Sequence, residues 1–276
     1  MMTGYHVGAV LTALLALLLV DRFGWEAMFV VGGVAGLVVV PLMAWKLPES
    51  EAFLAAREAR AATGGVTATT AAPVRSSAVL QGGYLRISLG LWVASFMGLL
   101  LVYGLNTWLP TIMEAADYSI SAGIGLLLAL NVGAVLGLVV AGGVADARGT
   151  KPVVLAWFGI AAVFLALLSI RLESTVLVYA AVTLAGVFVF SAQVLVYAFV
   201  GHLYPPEIRG TALGLAAGVG RVGAIVGPSL GGALVAAGLA YPWGFYIFAL
   251  AALLAVVALA VVPAHGPRTR STAPAA

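Results

Sequence analysis

Residues 87–110 read ISLGLWVASFMGLLLVYGLNTWLP, twenty-four positions without Asp, Glu, Lys or Arg. A helix crossing the hydrocarbon core of a bilayer needs about 20 consecutive apolar residues. The run meets that length, and it lacks the polar/apolar alternation of a transmembrane strand. Buried in water, such a segment would need a core to surround it on every side. The rest of the chain supplies no water-facing shell: 63% of its 276 residues are hydrophobic and only 8% are charged. A soluble domain carries about 25% charged residues. The solvent is therefore lipid and the fold class is an all-α membrane protein.

The same reading gives eight spans, at roughly 3–20, 25–47, 87–110, 121–145, 151–171, 174–201, 209–238 and 242–263. Pro152, Pro206 and Pro242 stand at span starts, where a missing N–H costs nothing. Ser119 and Ser121 are suited to cap the fourth span, and Pro41 falls inside the second, where it is expected to kink the helix. Residues 1–20 do not read as a signal peptide, because no Lys or Arg precedes the apolar stretch and Asp21-Arg22-Phe23 follows it.

Lys and Arg set the orientation. Ten of the 13 basic residues fall on the side that holds the segment 48–86, namely Lys46, Arg57, Arg60, Arg75, Arg86, Arg148, Lys151, Arg209, Arg268 and Arg270. The opposite loops hold Arg22 and Arg171, and Arg221 lies within a span. The bias places that segment and the C-terminus in the cytoplasm. Arg-rich, Lys-poor usage fits a bacterial chain, so the expected location is the cytoplasmic membrane.

Four regions follow: residues 1–47 with two spans, a cytoplasmic linker at 48–86 rich in Ala, Thr, Gly and Ser, six spans in 87–264, and a cytoplasmic tail at 265–276. A weak internal echo links the starts of two spans, Gly24-Trp25-Glu26-Ala27-Met28-Phe29 and Pro242-Trp243-Gly244-Phe245.

Arg221 is the sharpest single feature. It lies 12 residues after Arg209, about 18 Å along a helix. An Arg at that depth costs at least about 2.5–3.5 kcal/mol on insertion scales, so it is expected to face a wet cavity and meet an anion. A guanidinium binds a carboxylate through two parallel hydrogen bonds; the competing reading is a structural pair. Tyr103, Asn106, Asn131, Gln193 and Tyr197 are polar side chains at mid-span, each suited either to bind a substrate or to tie two helices together. Gly223, Gly227, Pro228 and Gly231, with Gly133 and Gly137 in another span, form small-residue faces that let helix backbones approach closely. The ten acids all lie in loops or at span ends. The chain has no Cys and its three His are peripheral, so no catalytic set or metal site is expected, and a net charge of +3 does not suggest a nucleic-acid partner. The oligomeric state is not legible.

The loop Gly142-Gly143-Val144-Ala145-Asp146-Ala147-Arg148-Gly149-Thr150-Lys151 resembles the cytoplasmic signature of the major facilitator superfamily, with Ala147 where the pattern has Arg. Its gating elements would be Gly142, Asp146, Arg148, Gly149 and Lys151, with Asp146 finding its partner near Thr3 to Tyr5. A narrower resemblance is carried by Tyr103-Gly104-Leu105-Asn106-Thr107-Trp108-Leu109-Pro110-Thr111-Ile112-Met113, by Arg22-Phe23-Gly24-Trp25-Glu26, by Leu47-Pro48-Glu49-Ser50 and by Tyr204-Pro205-Pro206-Glu207-Ile208-Arg209-Gly210-Thr211. These are similar to the aromatic acid:proton symporters of that superfamily.

The resemblance implies a partial major facilitator fold whose eight transmembrane helices correspond to helices 5–12 of 12. It implies proton-coupled uptake of benzoate-like or 4-hydroxybenzoate-like anions by alternating access, with the proton as coupling ion and no other cofactor. Arg221 falls where the family has an arginine in its eleventh helix; the family's paired first-helix aspartates have no counterpart here. Other readings are a carrier of a dicarboxylate or sugar acid, or a truncated product that inserts without transporting.

Overall fold

Apolar runs this long form helices because lipid offers no partner for an unpaired backbone amide or carbonyl. The computed structural model describes residues 22–46, 79–172 and 174–266, with isolated helical positions at 8, 11, 15, 19, 54 and 58. Seven helices among the described residues are long and apolar enough to cross a membrane, and none of the described residues is in a strand. They are α1 (Glu26–Lys46), α2 (Tyr84–Glu114), α3 (Ile120–Arg148), α4 (Thr150–Leu167), α5 (Thr175–Leu203), α6 (Pro206–Ala236) and α7 (Trp243–Ala260). The expected count of eight is not supported: the described residues hold seven. Apart from the isolated positions 8, 11, 15 and 19, the remaining expected span at 3–20 lies outside the described residues, as do nearly all of the linker before residue 79 and the tail from 267.

Residues 3–75 and 76–276 form two units. In the first, α1 carries Glu26 in its first turn and Lys46 in its last, each complementing the helix dipole. The helix runs through Pro41 and buries none of its residues; Phe29, Leu37 and Trp45 are exposed.

In the second unit six helices run alternately up and down. Gly149, at φ 87°, is at once the last cap of α3 and the first of α4, a left-handed conformation natural to glycine. Ser119 caps α3 as expected, its Oγ accepting from the Ala122 amide at 3.2 Å. Arg86, Arg148, Lys151 and Arg209 gather at one end of this unit, while Arg171 stands at the other, bonded at 2.8 Å to Asp117.

Several helices are longer than their apolar runs. The 31 residues of α2 span roughly 46 Å at 1.5 Å per residue, well beyond the ~30 Å hydrocarbon core. Its first turn takes Tyr84 and Arg86 out of the expected linker. Tyr84 stacks on Tyr204 with centroids 5.3 Å apart, and Ser88 Oγ lies 2.7 Å from the Tyr204 hydroxyl, so packing at the polar end prolongs the helix.

Glycine seams decide which helices touch. A Cβ on Gly223 would lie 2.1 Å from the Phe96 carbonyl oxygen, and one on Gly227 2.4 Å from that of Leu100; α6 therefore sits directly on the α2 backbone. Gly231 meets the Trp108 ring in the same way, and Trp108 Nε1 donates to the Pro228 carbonyl at 2.7 Å. The second seam joins α3 to α5, where Gly133 and Gly137 abut the backbone of Thr183 and Val187. The contacts of α6 with α2 thus run through Gly223, Gly227, the Pro228 carbonyl and Gly231. Phe158, Phe199, Phe245 and Phe248 fill the interior between the seams.

Candidate functional site

Arg221 lies 15 residues from either end of α6, about 22 Å from each, so it stands at mid-depth of its helix. The seam at Gly220, Gly223 and Gly227 holds α6 against α2 at that level. The guanidinium of Arg221 reaches across and donates from Nη1 to the Tyr103 hydroxyl at 3.0 Å. The side chain remains exposed, and no acid pairs with it among the described residues. Of its five N–H donors, one is committed to the tyrosine.

One turn along α2 from Tyr103, Asn106 donates from Nδ2 to the Val102 carbonyl at 2.8 Å. Its Oδ1 accepts from Asn131 Nδ2 at 3.1 Å, and Asn131 also donates to the Leu127 carbonyl at 2.9 Å. Three helices thus contribute to one half-buried polar ridge: Arg221 from α6, Tyr103 and Asn106 from α2, and Asn131 from α3. A cation with free donors stands at one end and an asparagine pair at the other. That set can hold a carboxylate at the guanidinium while a hydroxyl on the same molecule meets an amide.

Gln193 and Tyr197 do not join this ridge. Gln193 is only 4% exposed and donates from Nε2 to Ser95 Oγ on α2 at 3.4 Å. Ser95 precedes Tyr103 by eight residues, roughly 12 Å. Since α5 runs against α2, Tyr197 lies still farther toward the Arg/Lys-rich end; it is half-buried and makes no hydrogen bond to another described residue. Gln193 Oε1 is buried without a hydrogen-bond partner among the described residues. The pair Gln193–Ser95 reads as a tie between α5 and α2.

At the Arg/Lys-rich end, Asp146 and Arg148 are exposed and form no ion pair with other described residues. Thr3 to Tyr5, the expected partner region for Asp146, lies outside the described residues. Gly142 has open space where a Cβ would stand. Lys151 has a contact the sequence did not suggest: its Nζ donates to the Ala260 and Val262 carbonyls, closing the C-terminus of α7. Among the described residues no three His, Asp or Glu side chains lie close enough to share a metal ion.

Six closely packed helices, each long and apolar enough to cross a membrane, joined by short turns and carrying one mid-depth cation on an exposed polar ridge, define a polytopic membrane protein. The chain matches the family model of the Major Facilitator Superfamily over residues 1–137 and 121–276, and it belongs to that superfamily. Among its relatives are the gentisate transporter of Corynebacterium glutamicum, 37% identical over 95% of this chain and 58% of that protein. The benzoate transport protein of Acinetobacter baylyi is 31% identical over 95% of this chain and 60% of its own length. The gallate transporter of Pseudomonas putida is 32% identical over 99% of this chain and 64% of its own length. The chain therefore spans about three-fifths of the relatives it matches. All three are named for aromatic acids, in keeping with the resemblance carried by residues 103–113.

Proposed function

We propose that this chain is part of a twelve-helix secondary carrier for small aromatic carboxylates, with Arg221 as the anchor of the substrate carboxylate. The observation that carries the reading is the mid-depth guanidinium, tethered to Tyr103 by a single 3.0 Å bond and otherwise open. The gentisate, benzoate and gallate of the relatives' names have in common a benzene ring bearing a carboxylate. The guanidinium presents two further N–H groups in the plane that a carboxylate requires. Binding also offsets the penalty of a mid-bilayer cation, about 2.5–3.5 kcal/mol on insertion scales.

Tyr103 orients the guanidinium, and Asn106 with Asn131 forms the amide edge for a ring hydroxyl. Gln193 and Tyr197, on the Arg/Lys-rich side of this level, would meet the substrate on its way out when that side opens. The Arg/Lys-rich end is cytoplasmic by the positive-inside rule, so the C-terminus is cytoplasmic and the membrane is the bacterial inner membrane. The loop Gly142 to Lys151 is the cytoplasmic gate: Gly149 permits the reversal from α3 to α4, and Lys151 anchors α4 to the end of α7. The proton is the coupling ion.

The test is uptake of labelled 4-hydroxybenzoate by cells expressing the gene at its full encoded length, with and without a protonophore. Arg221→Gln is expected to abolish saturable uptake. Arg221→Lys keeps the charge but loses the planar fork, and KM should rise roughly 10- to 100-fold, the range of a charge-assisted hydrogen bond. Undiminished uptake by the glutamine variant would remove Arg221 from the site. Uptake that is saturable but competed by succinate and not by benzoate would favour the dicarboxylate reading.

A further inference from the structure

The end of α7 and the start of α2 enclose two adjoining clefts away from Arg221. One, of about 460 Å³, is bordered by Gly82, Gly83, Arg86, Lys151 and residues Ala260 to Pro263. The other, of about 410 Å³, is bordered by Leu85, Leu89, Gly90, Val93, Ala258 and again Arg86 and Val261. The first is mixed in lining and carries the two cations Arg86 and Lys151; the second is almost wholly apolar. Arg86 and Val261 border both, so the two form one continuous groove.

Its floor is Gly90. A Cβ there would lie 2.4 Å from a Val262 methyl and 2.8 Å from the Ala258 carbonyl, so the Ala258 backbone and the Val262 side chain press directly onto the α2 backbone at this point. Leu89 and Val93 stand exposed along the walls. From Leu85 to Val93 is about 12 Å of helix, directed from the basic end toward the middle of the bilayer. Arg86 is exposed, with no hydrogen bond or ion pair to another described residue. Lys151 commits two of its three donors to the Ala260 and Val262 carbonyls and keeps the third. No Asp or Glu among the described residues borders either cleft.

We infer that this groove binds an anionic phospholipid of the leaflet at the Arg/Lys-rich end. Arg86 and Lys151 hold the phosphate, and one acyl chain lies along Leu89, Val93 and Ala258. Charge complementarity selects the headgroup, and the apolar half requires a ligand with a hydrocarbon tail, which a free phosphate does not have. By fixing Lys151 on the last carbonyls of α7, the lipid links α2, α4 and α7 at the end where the loop after α3 turns.

The experiment is native mass spectrometry of the full chain released from micelles, titrated with dioleoyl phosphatidylglycerol or dioleoyl phosphatidylcholine. Each cation near a surface favours an anionic lipid by about fivefold, so the preference for phosphatidylglycerol should be on the order of tenfold or more. Arg86→Gln should lower it about fivefold, and Arg86→Lys should restore it, which separates charge from folding. Val93→Trp, filling the apolar half, should weaken retention of both lipids. Equal retention of the two lipids, an unchanged preference in Arg86→Gln, or displacement of phosphatidylglycerol by millimolar inorganic phosphate would each overturn the inference.

Discussion

Replacing Gly223 by alanine tests the contact on which the arrangement of α2 and α6 depends. The new methyl would lie 2.1, 2.9 and 3.1 Å from the carbonyl oxygen, carbonyl carbon and Cα of Phe96. All three are backbone atoms, so no rotamer change relieves the overlap. An ordinary carbon–oxygen contact is about 3.3 Å, so the helices must separate by roughly 1.2 Å. Overpacking of this kind costs about 1–3 kcal/mol, partly offset by the ~1 kcal/mol that alanine gains over glycine within a helix.

Gly214→Ala on the same helix is the matched control, because nothing lies within 4 Å of its added Cβ and only the propensity gain applies. The difference between the two variants therefore isolates the packing cost, a roughly 5- to 150-fold change in the folding equilibrium. The assay is unfolding in mixed micelles at rising dodecyl sulfate fraction, followed by tryptophan fluorescence. Gly223→Ala should unfold at a lower fraction than the parent and Gly214→Ala at the same or a higher one. The same displacement would stretch the 3.0 Å bond from Arg221 to Tyr103 beyond hydrogen-bonding range, so anion binding should weaken too. Coincident transitions for the two variants would refute the close approach of α6 to α2.

Trp108→Phe keeps an aromatic ring but deletes the donor to the Pro228 carbonyl together with part of the indole's bulk, and should destabilise by at least about 0.5–1.5 kcal/mol in the same titration. Asp117 holds a left-handed backbone at φ 65° while forming an exposed ion pair with Arg171. The exposed pair contributes at most about 1 kcal/mol and left-handed strain costs about 1–2 kcal/mol, so Asp117→Gly should match or exceed the parent in thermal stability and Asp117→Val should fall below both. Burial pushes the Tyr204 phenol up from its ordinary value, against the smaller lowering effect of its hydrogen bond to Ser88. The native state thus holds this proton more tightly than the unfolded chain. Its stability contribution is full below about pH 10 and is lost as pH rises through the native value. Tyr204→Phe should flatten the alkaline limb of a stability–pH curve, and an unchanged limb would assign the loss to other groups.

Much of this molecule was legible before any fold was known. Ser119 as a cap and the glycine faces of α3 and α6 follow from local chemistry, since each depends on a short stretch of chain. Helix ends were less legible: the start of α2 is set by Tyr84 stacking on Tyr204, a partner 120 residues away. The same applies to Lys151, whose contact with the end of α7 has no signature in its neighbours along the chain.

Composition and run length alone determined that the solvent is lipid, that the elements are helices and that a cation at position 221 stands deep in one of them. They could not tell which polar residues share a level and a face. In water, an amphipathic stripe shows which side of a helix is buried. In lipid the surroundings are as apolar as the core, so a helix can be hydrophobic all round and its buried face leaves no such mark. The glycine seam between α2 and α6, acting across more than a hundred residues, put Tyr103 beside Arg221, and the packing of α5 against α2 sent Gln193 to Ser95.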